Sequence, residues 1–171
     1  MRHKTYYIDS CVFVDFLFKT GKKAQPSINF FKSYQQSADS AKISTLTIME
    51  TITSGRQILA KYTKYPEQAN NDRVINATKF FFALKNLEII PDINGFNPLS
   101  SDILDDSLRY INKYTGNYVN SAGGNREHDG LYAPDCIHLS FAIKSNCDTF
   151  ITRDNDFNEV SGKEPIKVEI L

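Results

Sequence analysis

The segment DTFITRDNDF, residues 148–157, passes from a strand-like run into a stretch rich in acids. The β-branched and aromatic residues of 149–152 predict a buried strand. Asp154 and Asp156 follow it, two positions apart, before a short helical turn. Asp and Asn commonly cap helices or form turns, so a purely local role is one explanation of these acids. A chemical role requires further acids that meet them in space.

Length and composition indicate one domain over residues 1–171. The chain has 41% hydrophobic and 23% charged residues, which is ordinary usage for a folded domain of this size. Asp9 and Asp15 interrupt the apolar residues at the beginning of the chain, which argues against a signal peptide. Because the sequence contains no run of 18 apolar residues, we expect no membrane span and a cytoplasmic protein.

Residue counts exclude several kinds of site. The three cysteines, Cys11, Cys136 and Cys147, form no CxxC pair, and the three histidines lie far apart, so we expect no structural zinc. Lys and Arg together number 20, as do Asp and Glu. A protein that holds nucleic acid mainly by charge has a basic excess. Any nucleic-acid contact of this chain is therefore expected to be local.

Strand-like and helix-like segments alternate along the chain. Strands are predicted at 5–9, 41–46, 87–90, 148–152 and, at a sheet edge, 166–170; helices are predicted at about 12–18, 26–38, 47–62, 71–87, 100–114 and 133–146. This order predicts an α/β domain with a mainly parallel sheet. In such sheets ligands bind outside the carboxyl ends of the strands.

Three local features add detail. Gly55 lies on the apolar stripe of the helix 47–62 and predicts the close approach of a neighbouring element. Leu104, Leu108 and Ile111 are predicted to face inward from the helix 100–114. The segment 116–134 holds four glycines without periodicity and predicts a long loop or insertion.

Acidic residues recur where the predicted strands end. Asp9 ends the first strand, Glu50 opens the helix after the second, and Asp154 and Asp156 follow a later strand. Asp135, at the start of an apolar helix, can face the same edge. Each acid has a structural alternative; for Glu50 it is a capping box with Thr47.

Clustered carboxylates repel one another, and they become protonated unless a cation compensates them. Mg²⁺ or Mn²⁺ prefers oxygen ligands and supplies that charge. A metal held in this way can activate a water molecule and neutralise the charge that develops on a phosphodiester. The pattern therefore predicts hydrolysis of nucleic acid.

Three blocks of the sequence resemble the signature blocks of PIN-domain ribonucleases, especially the VapC-like toxins of bacterial toxin–antitoxin pairs. They are YYIDSCVFVDFL, ISTLTIMET and APDCIHLSFAIKSNCDTFITRDNDFNEV, and they occur in the family's order. The resemblance implies a three-layer α/β/α sandwich and a divalent-metal-dependent endoribonuclease.

The resemblance also implies roles for particular residues. Asp9, Glu50, Asp135 and Asp154 match the four acids of the blocks, Asp156 matches a frequent additional acid, and Thr152 matches an accompanying hydroxyl. We expect Asp9, Asp135 and Asp154 to hold Mg²⁺ or Mn²⁺, with Glu50 and Asp156 completing the pocket. Cys11 departs from the family, which usually has Asn there. His138 is interpreted as a hydrogen-bonded packing residue rather than a base.

Further expectations concern partners. The resemblance implies an RNA substrate and a cognate antitoxin protein, and it allows a homodimer. Phe13, Phe16, Phe30 and Tyr34 are candidates for a groove that accepts an antitoxin helix, although a core position explains them equally well. Two other hypotheses remain: a catalytically inactive PIN-like module that binds protein or RNA, and a nuclease acting on DNA or structured RNA.

Overall fold

The computed structural model describes residues 3–19, 21–62, 67–90, 101–114 and 130–171. Residues 116–129 of the predicted loop or insertion at 116–134 lie outside the described residues. Within the described ranges the chain forms one sheet with helices on both faces.

The sheet has five strands, and every neighbouring pair is parallel. The strands are β1 (Thr5–Ile8), β2 (Ser40–Ser44), β3 (Leu87–Ile90), β4 (Thr149–Thr152) and β5 (Lys167–Ile170). Their order is β3-β2-β1-β4-β5. The predicted α/β class with a parallel sheet is confirmed, and β5 lies at one end of the order as expected.

In the described parts of the chain, seven α-helices connect and cover the strands. They are α1 (Ser10–Phe18), α2 (Gln25–Gln36), α3 (Thr45–Tyr62), α4 (Glu67–Thr78), α5 (Phe80–Ala83), α6 (Ser101–Tyr114) and α7 (Ala133–Lys144). Short 3₁₀ helices occur at Gly21–Lys23 and Asn155–Glu159. The single helix predicted at 71–87 is wrong. The Thr78 hydroxyl bonds the Ile75 carbonyl oxygen, which competes with the helical ladder, and Asn86 has a positive φ of 55°.

Two hydrophobic cores, one on each face of the sheet, make the three layers. Along β1, Tyr7 enters one core and Ile8 the other, as alternation along a strand requires. The core of Tyr7 packs against α6 and α7, and the core of Ile8 packs against α1, α2 and α5. The α/β/α sandwich implied by the resemblance is confirmed.

The four aromatic candidates for an antitoxin groove belong to the core of Ile8. Phe13 and Tyr34 are buried, whereas Phe16 and Phe30 are partly buried and pack against them. The Phe13 ring lies 5.1 Å from the ring of Phe31 between centroids. The core explanation therefore fits Phe13 and Tyr34, and only Phe16 and Phe30 retain surface for a partner.

Helix α6 presents a different face to the core than expected. The prediction that Leu104 and Leu108 face inward is wrong, because both are exposed. The inward residues include Ile103 and Ser107. Ser107 tolerates burial because its hydroxyl bonds the Ile103 carbonyl oxygen and the Ser140 hydroxyl of α7, at 2.6 and 3.0 Å.

The close approach predicted at Gly55 is confirmed. A Cβ atom there would lie 2.5 Å from the ring of Phe18, at the end of α1. Glycine thus lets α1 and α3 pack directly on one another.

In the described ranges, none of the helices combines the length and apolar character that crossing a membrane requires.

Replacing Phe13 by alanine tests the core of Ile8. Phe13 is fully buried and its ring contacts Phe31 and Phe81, so Phe13→Ala should lower the free energy of unfolding by about 3–5 kcal/mol. Urea titration followed by circular dichroism measures this change. Phe82→Ala is the matched control, because Phe82 is 78% exposed and its loss should cost less than about 0.5 kcal/mol. Equal costs for the two variants would contradict this core assignment.

Candidate active site

The register of β1 and β4 decides which side chains meet at the carboxyl edge of the sheet. Ile8 pairs with Ile151, and the Asp9 amide donates to the Ile151 carbonyl oxygen at 3.0 Å. Asp9, which follows β1, and Thr152, the last residue of β4, therefore lie side by side. The Thr152 hydroxyl donates to Asp9 Oδ2 at 2.7 Å.

Asp9 is buried and held by several donors. Its side chain caps α1 by accepting the Ser10 amide at 2.6 Å, and Oδ2 also accepts the Cys11 thiol at 3.1 Å. Only 4% of the residue is exposed. The capping role and a role at the sheet edge therefore coexist, because the two oxygens have different partners.

Glu50 reaches the same place from α3. The expectation that Glu50 opens this helix is wrong, as is the capping box with Thr47, because α3 begins at Thr45. The Glu50 carboxylate instead accepts from His138 Nε2 at 2.8 Å. Burial raises the pKa of Glu50, but the hydrogen bond and charge of His138, with a bond from Ser10, lower it overall.

His138 is fully buried beneath these two acids. Its Nε2 lies 2.8 Å from Glu50 Oε2 and 3.9 Å from Asp9 Oδ1, and its Nδ1 lies 2.8 Å from the Tyr7 hydroxyl. Tyr7 donates its own proton to Ser44 Oγ at 2.9 Å, so Nδ1 donates to Tyr7. Both ring nitrogens therefore act as donors. Burial lowers the pKa of His138, but Tyr7, Glu50 and Asp9 raise it well above its ordinary value.

Asp135 lies in the field of two other carboxylates. It stands in the first turn of α7, where Oδ2 accepts the Tyr132 amide at 2.8 Å. Burial, opposed by that hydrogen bond and reinforced by the charges of Asp9 and Asp154, raises the pKa of Asp135 to about 7. The folded chain without a cation thus resists ionisation of this acid.

Asp154 and Asp156 begin the 3₁₀ helix after β4. Asp154 is the N-cap and accepts the Asp156 amide at 3.0 Å, while its own amide donates to Thr152 Oγ1 at 3.0 Å. The Thr152 hydroxyl thus connects the Asp154 backbone to the Asp9 carboxylate. Local capping and proximity to the acid pocket are again compatible.

Cys11 lies at the position where PIN-domain ribonucleases, which the sequence resembles, usually have Asn. Its sulfur donates to Asp9 Oδ2 and accepts the Arg153 amide, both at 3.1 Å. Burial first, and then the charge of Asp9, raise the pKa of Cys11 well above its ordinary value. The thiol stays protonated and replaces one of the donor functions of an amide side chain. All three cysteines are free.

The acids at this edge fit a divalent cation. A carboxylate oxygen of Asp9 and one of Glu50 lie within 4.8 Å of one another, and a ring nitrogen of His138 lies within the same distance of both. Oxygen-rich pockets of this kind suit Mg²⁺ and Mn²⁺. Burial first, and then the charges of Asp9 and Asp154, raise the pKa of Asp135, and a bound cation would favour the ionised form of this acid. Asp135 and Asp154 are outside this compact group, although the charge of Asp154 acts on Asp135.

The sequence predicted a hydrogen-bonded packing role for His138 but not its partners. His138 is buried and bonded, and one of its partners is the candidate acid Glu50. The spacing of Asp135 and His138, three residues apart on a helix, places both on one face. That spacing was the available signal. No feature of the sequence predicted the contact of Tyr7 with His138, because it depends on the register of three strands.

The protein is an α/β/α domain in which carboxylates gather at the carboxyl edge of a parallel sheet. A family model described as PIN domain matches residues 6–163. The chain belongs to the PIN domain family.

A solved structure shows the same fold. The toxin VapC20 of Mycobacterium tuberculosis, which cleaves the sarcin-ricin loop, superposes with a TM-score of 0.57. The similarity covers 91% of this chain and 95% of that chain at 9% sequence identity. At this identity the likeness concerns the fold alone. A search of curated proteins found no match.

The pKa of Asp135 predicts how the stability of the cation-free protein depends on pH. The carboxyl titrates near its ordinary value of 3.8 when unfolded and at about 7 when folded, so ionisation opposes folding. The penalty is absent below the unfolded value, grows as pH rises, and is complete above the folded value. Asp135→Asn should therefore be more stable than wild type at pH 8, and the difference should disappear at pH 4.

Urea unfolding in EDTA at several pH values measures this difference. Asp105→Asn is the control, because Asp105 is an exposed acid on α6 and its change should be nearly independent of pH. A stability difference for Asp135→Asn that is the same at pH 4 and pH 8 would show that Asp135 ionises normally in the folded protein.

Proposed function

We propose that this chain is a divalent-metal-dependent endoribonuclease that hydrolyses RNA phosphodiesters. The main support is the convergence of Asp9 and Glu50 on one point at the sheet edge, with His138 between them. Membership in the PIN domain family is the second support for nuclease activity. Nuclease activity on RNA also agrees with the balanced charge of the chain, because a local pocket rather than a basic surface would engage the phosphate.

The proposed metal ligands are Asp9, Asp135 and Asp154, with Glu50 and Asp156 completing the acidic pocket. When bound, Mg²⁺ or Mn²⁺ supplies activation of a water molecule and neutralisation of charge on the phosphodiester. The protein's own residues fix the positions of these acids. Thr152 orients the Asp9 carboxylate through one hydrogen bond and the Asp154 backbone through another.

Burial makes this pocket suitable for phosphoryl chemistry. Asp9, Thr152 and His138 are all buried. The floor of the pocket is therefore rigid and poorly solvated. Charge interactions are stronger in such surroundings than in water. Glu50, Asp135 and Asp154 are half-buried, and they form the part of the pocket that a phosphodiester can approach.

We further propose that the chain is the toxin of a type II toxin–antitoxin pair. The support is the shared fold with VapC20 of M. tuberculosis together with the family assignment. A cognate antitoxin protein would then hold the nuclease inactive. Phe16 and Phe30, which pack on the core of Ile8 and keep some exposed surface, are the candidates for its contact.

Asp9→Asn tests the nuclease proposal directly. Asparagine keeps an acceptor for the Ser10 amide but loses the negative charge, so the fold should remain and Mn²⁺-dependent cleavage should fall on the order of 1000-fold or more, since several kcal/mol of charge stabilisation are lost. Cleavage of a labelled RNA is followed with Mn²⁺ and with EDTA. Asp105→Asn, the same chemical change at an exposed site, should cleave like wild type.

Undiminished cleavage by Asp9→Asn would remove this mechanism. Absence of both cleavage and Mn²⁺ binding in the wild type would instead favour the inactive PIN-like module. Expression of the same proteins in bacteria tests the toxin assignment separately, because the wild type should stop growth and Asp9→Asn should not. If expression is harmless although the protein cleaves RNA in vitro, the nuclease proposal stands and the toxin proposal is wrong.

A further inference from the structure

Glu50 depends on other residues for its position more than Asp9 does. Asp9 follows a strand directly and accepts bonds from Ser10, Cys11 and Thr152. Glu50 lies on α3, and 26% of its side chain is exposed. A glutamate of this kind loses considerable rotamer entropy when it is fixed. Something must hold its carboxylate at the pocket rather than in solvent.

Ser10 gives Glu50 one hydrogen bond, and the fully buried residue that meets this need is His138. Its Nε2 contacts Glu50 Oε2 at 2.8 Å, and 1% of its side chain is exposed. Its place in α7, which is packed along most of its length, leaves the ring little freedom. A hydrogen bond to a charged carboxylate from a buried, fixed donor is among the stronger kinds in proteins.

Tyr7 fixes the ring of His138 from the opposite side. Its hydroxyl lies 2.8 Å from His138 Nδ1 and donates to Ser44 at 2.9 Å, and Thr47 Oγ1 lies 3.5 Å away. The Tyr7 ring stacks on Phe150 at 5.5 Å between centroids. A continuous series of contacts thus runs from the centre of the sheet, through Tyr7 and His138, to Glu50.

We propose that His138, oriented by Tyr7, is a positioning residue that holds the Glu50 carboxylate at the acidic pocket. The alternative is that Nε2 itself binds the cation. The geometry favours positioning, because a carboxylate can only accept, so the 2.8 Å contact between Glu50 Oε2 and His138 Nε2 requires a proton on Nε2. A nitrogen that bears a proton has no lone pair for a metal.

This inference rests on the proposed function, since it assumes that the pocket binds a divalent cation. Partners that orient metal-binding carboxylates or imidazoles typically change metal affinity or activity roughly 10–100-fold when they are removed. His138→Leu should therefore weaken the binding of Mn²⁺ and of Mg²⁺ by a similar factor within that range. His138→Gln keeps an N–H donor on a side chain of similar reach and should recover much of the affinity.

Tyr7→Phe extends the test beyond the immediate contact. It removes only the hydroxyl that orients the ring, so its effect on Mn²⁺ affinity should have the same direction as that of His138→Leu and be smaller. Ser140→Ala is the matched control on α7. Ser140 is buried and bonds Ser107 and the Cys136 carbonyl oxygen, and its loss should lower the melting temperature without weakening metal binding.

Titration calorimetry with Mn²⁺ and Mg²⁺, together with thermal melting, measures these effects. Nitrogen NMR of His138 adds a reading on the intact wild type, in which the Nε2 proton should persist after Mg²⁺ is added. Loss of that proton, or a much larger loss of Mn²⁺ than of Mg²⁺ affinity in His138→Leu, would identify a metal ligand and overturn positioning.

Two other results also overturn the inference. If Ser140→Ala weakens metal binding as much as His138→Leu does, the effect is a general loosening of α7. If His138→Leu and Tyr7→Phe bind Mn²⁺ like wild type, Glu50 needs no support from them. A wild type that binds neither ion would overturn the proposed function as well, so the two failures are distinguishable.

Discussion

The central constraint on this molecule is the repulsion among carboxylates that the parallel sheet brings to one edge. The pairing of Ile8 with Ile151 places Asp9, just after β1, next to Thr152 at the end of β4. A slip of one residue in this register would turn the inward side chains to the opposite face, which would separate Tyr7 and Ile8 from their cores. Hydrophobic burial on both faces therefore fixes the register, and the register places the acids. The burial of Asp135, together with the charges of Asp9 and Asp154, raises the pKa of this acid to about 7.

The surroundings of the pocket distribute that charge among different partners. Asp9 is satisfied by neutral donors from Ser10, Cys11 and Thr152. Glu50 is paired with His138, and Asp135 has the Tyr132 amide. These donors stabilise the acids without cancelling all of their charge, and a divalent cation is the natural complement. The arrangement agrees with the membership of the chain in the PIN domain family.

Sequence reasoning succeeded where a local pattern and the tertiary structure have the same cause. The parallel sheet followed from alternating elements, and the positions of Asp9 and Asp154 followed from strand ends. It failed where packing decided between similar patterns. Leu104 and Leu108 satisfy helical periodicity, yet α6 buries Ile103, Tyr110 and Tyr114 in the core of Tyr7, and Ser107 on the same face bonds Ser140 of α7. The pairing of Glu50 with His138 joins residues 88 positions apart, and no local rule predicts such a contact.

Diffraction from crystals grown with Mn²⁺ would show whether the acids of the pocket hold a cation, because the anomalous signal of manganese locates the ion without assumptions about its ligands. We expect an anomalous peak at the carboxyl edge of the sheet, within bonding distance of the Asp9 carboxylate and in contact, directly or through water, with Asp135 and Asp154. Crystals of active, Mn²⁺-saturated protein that show no peak there, or a peak only at a remote surface, would contradict this expectation.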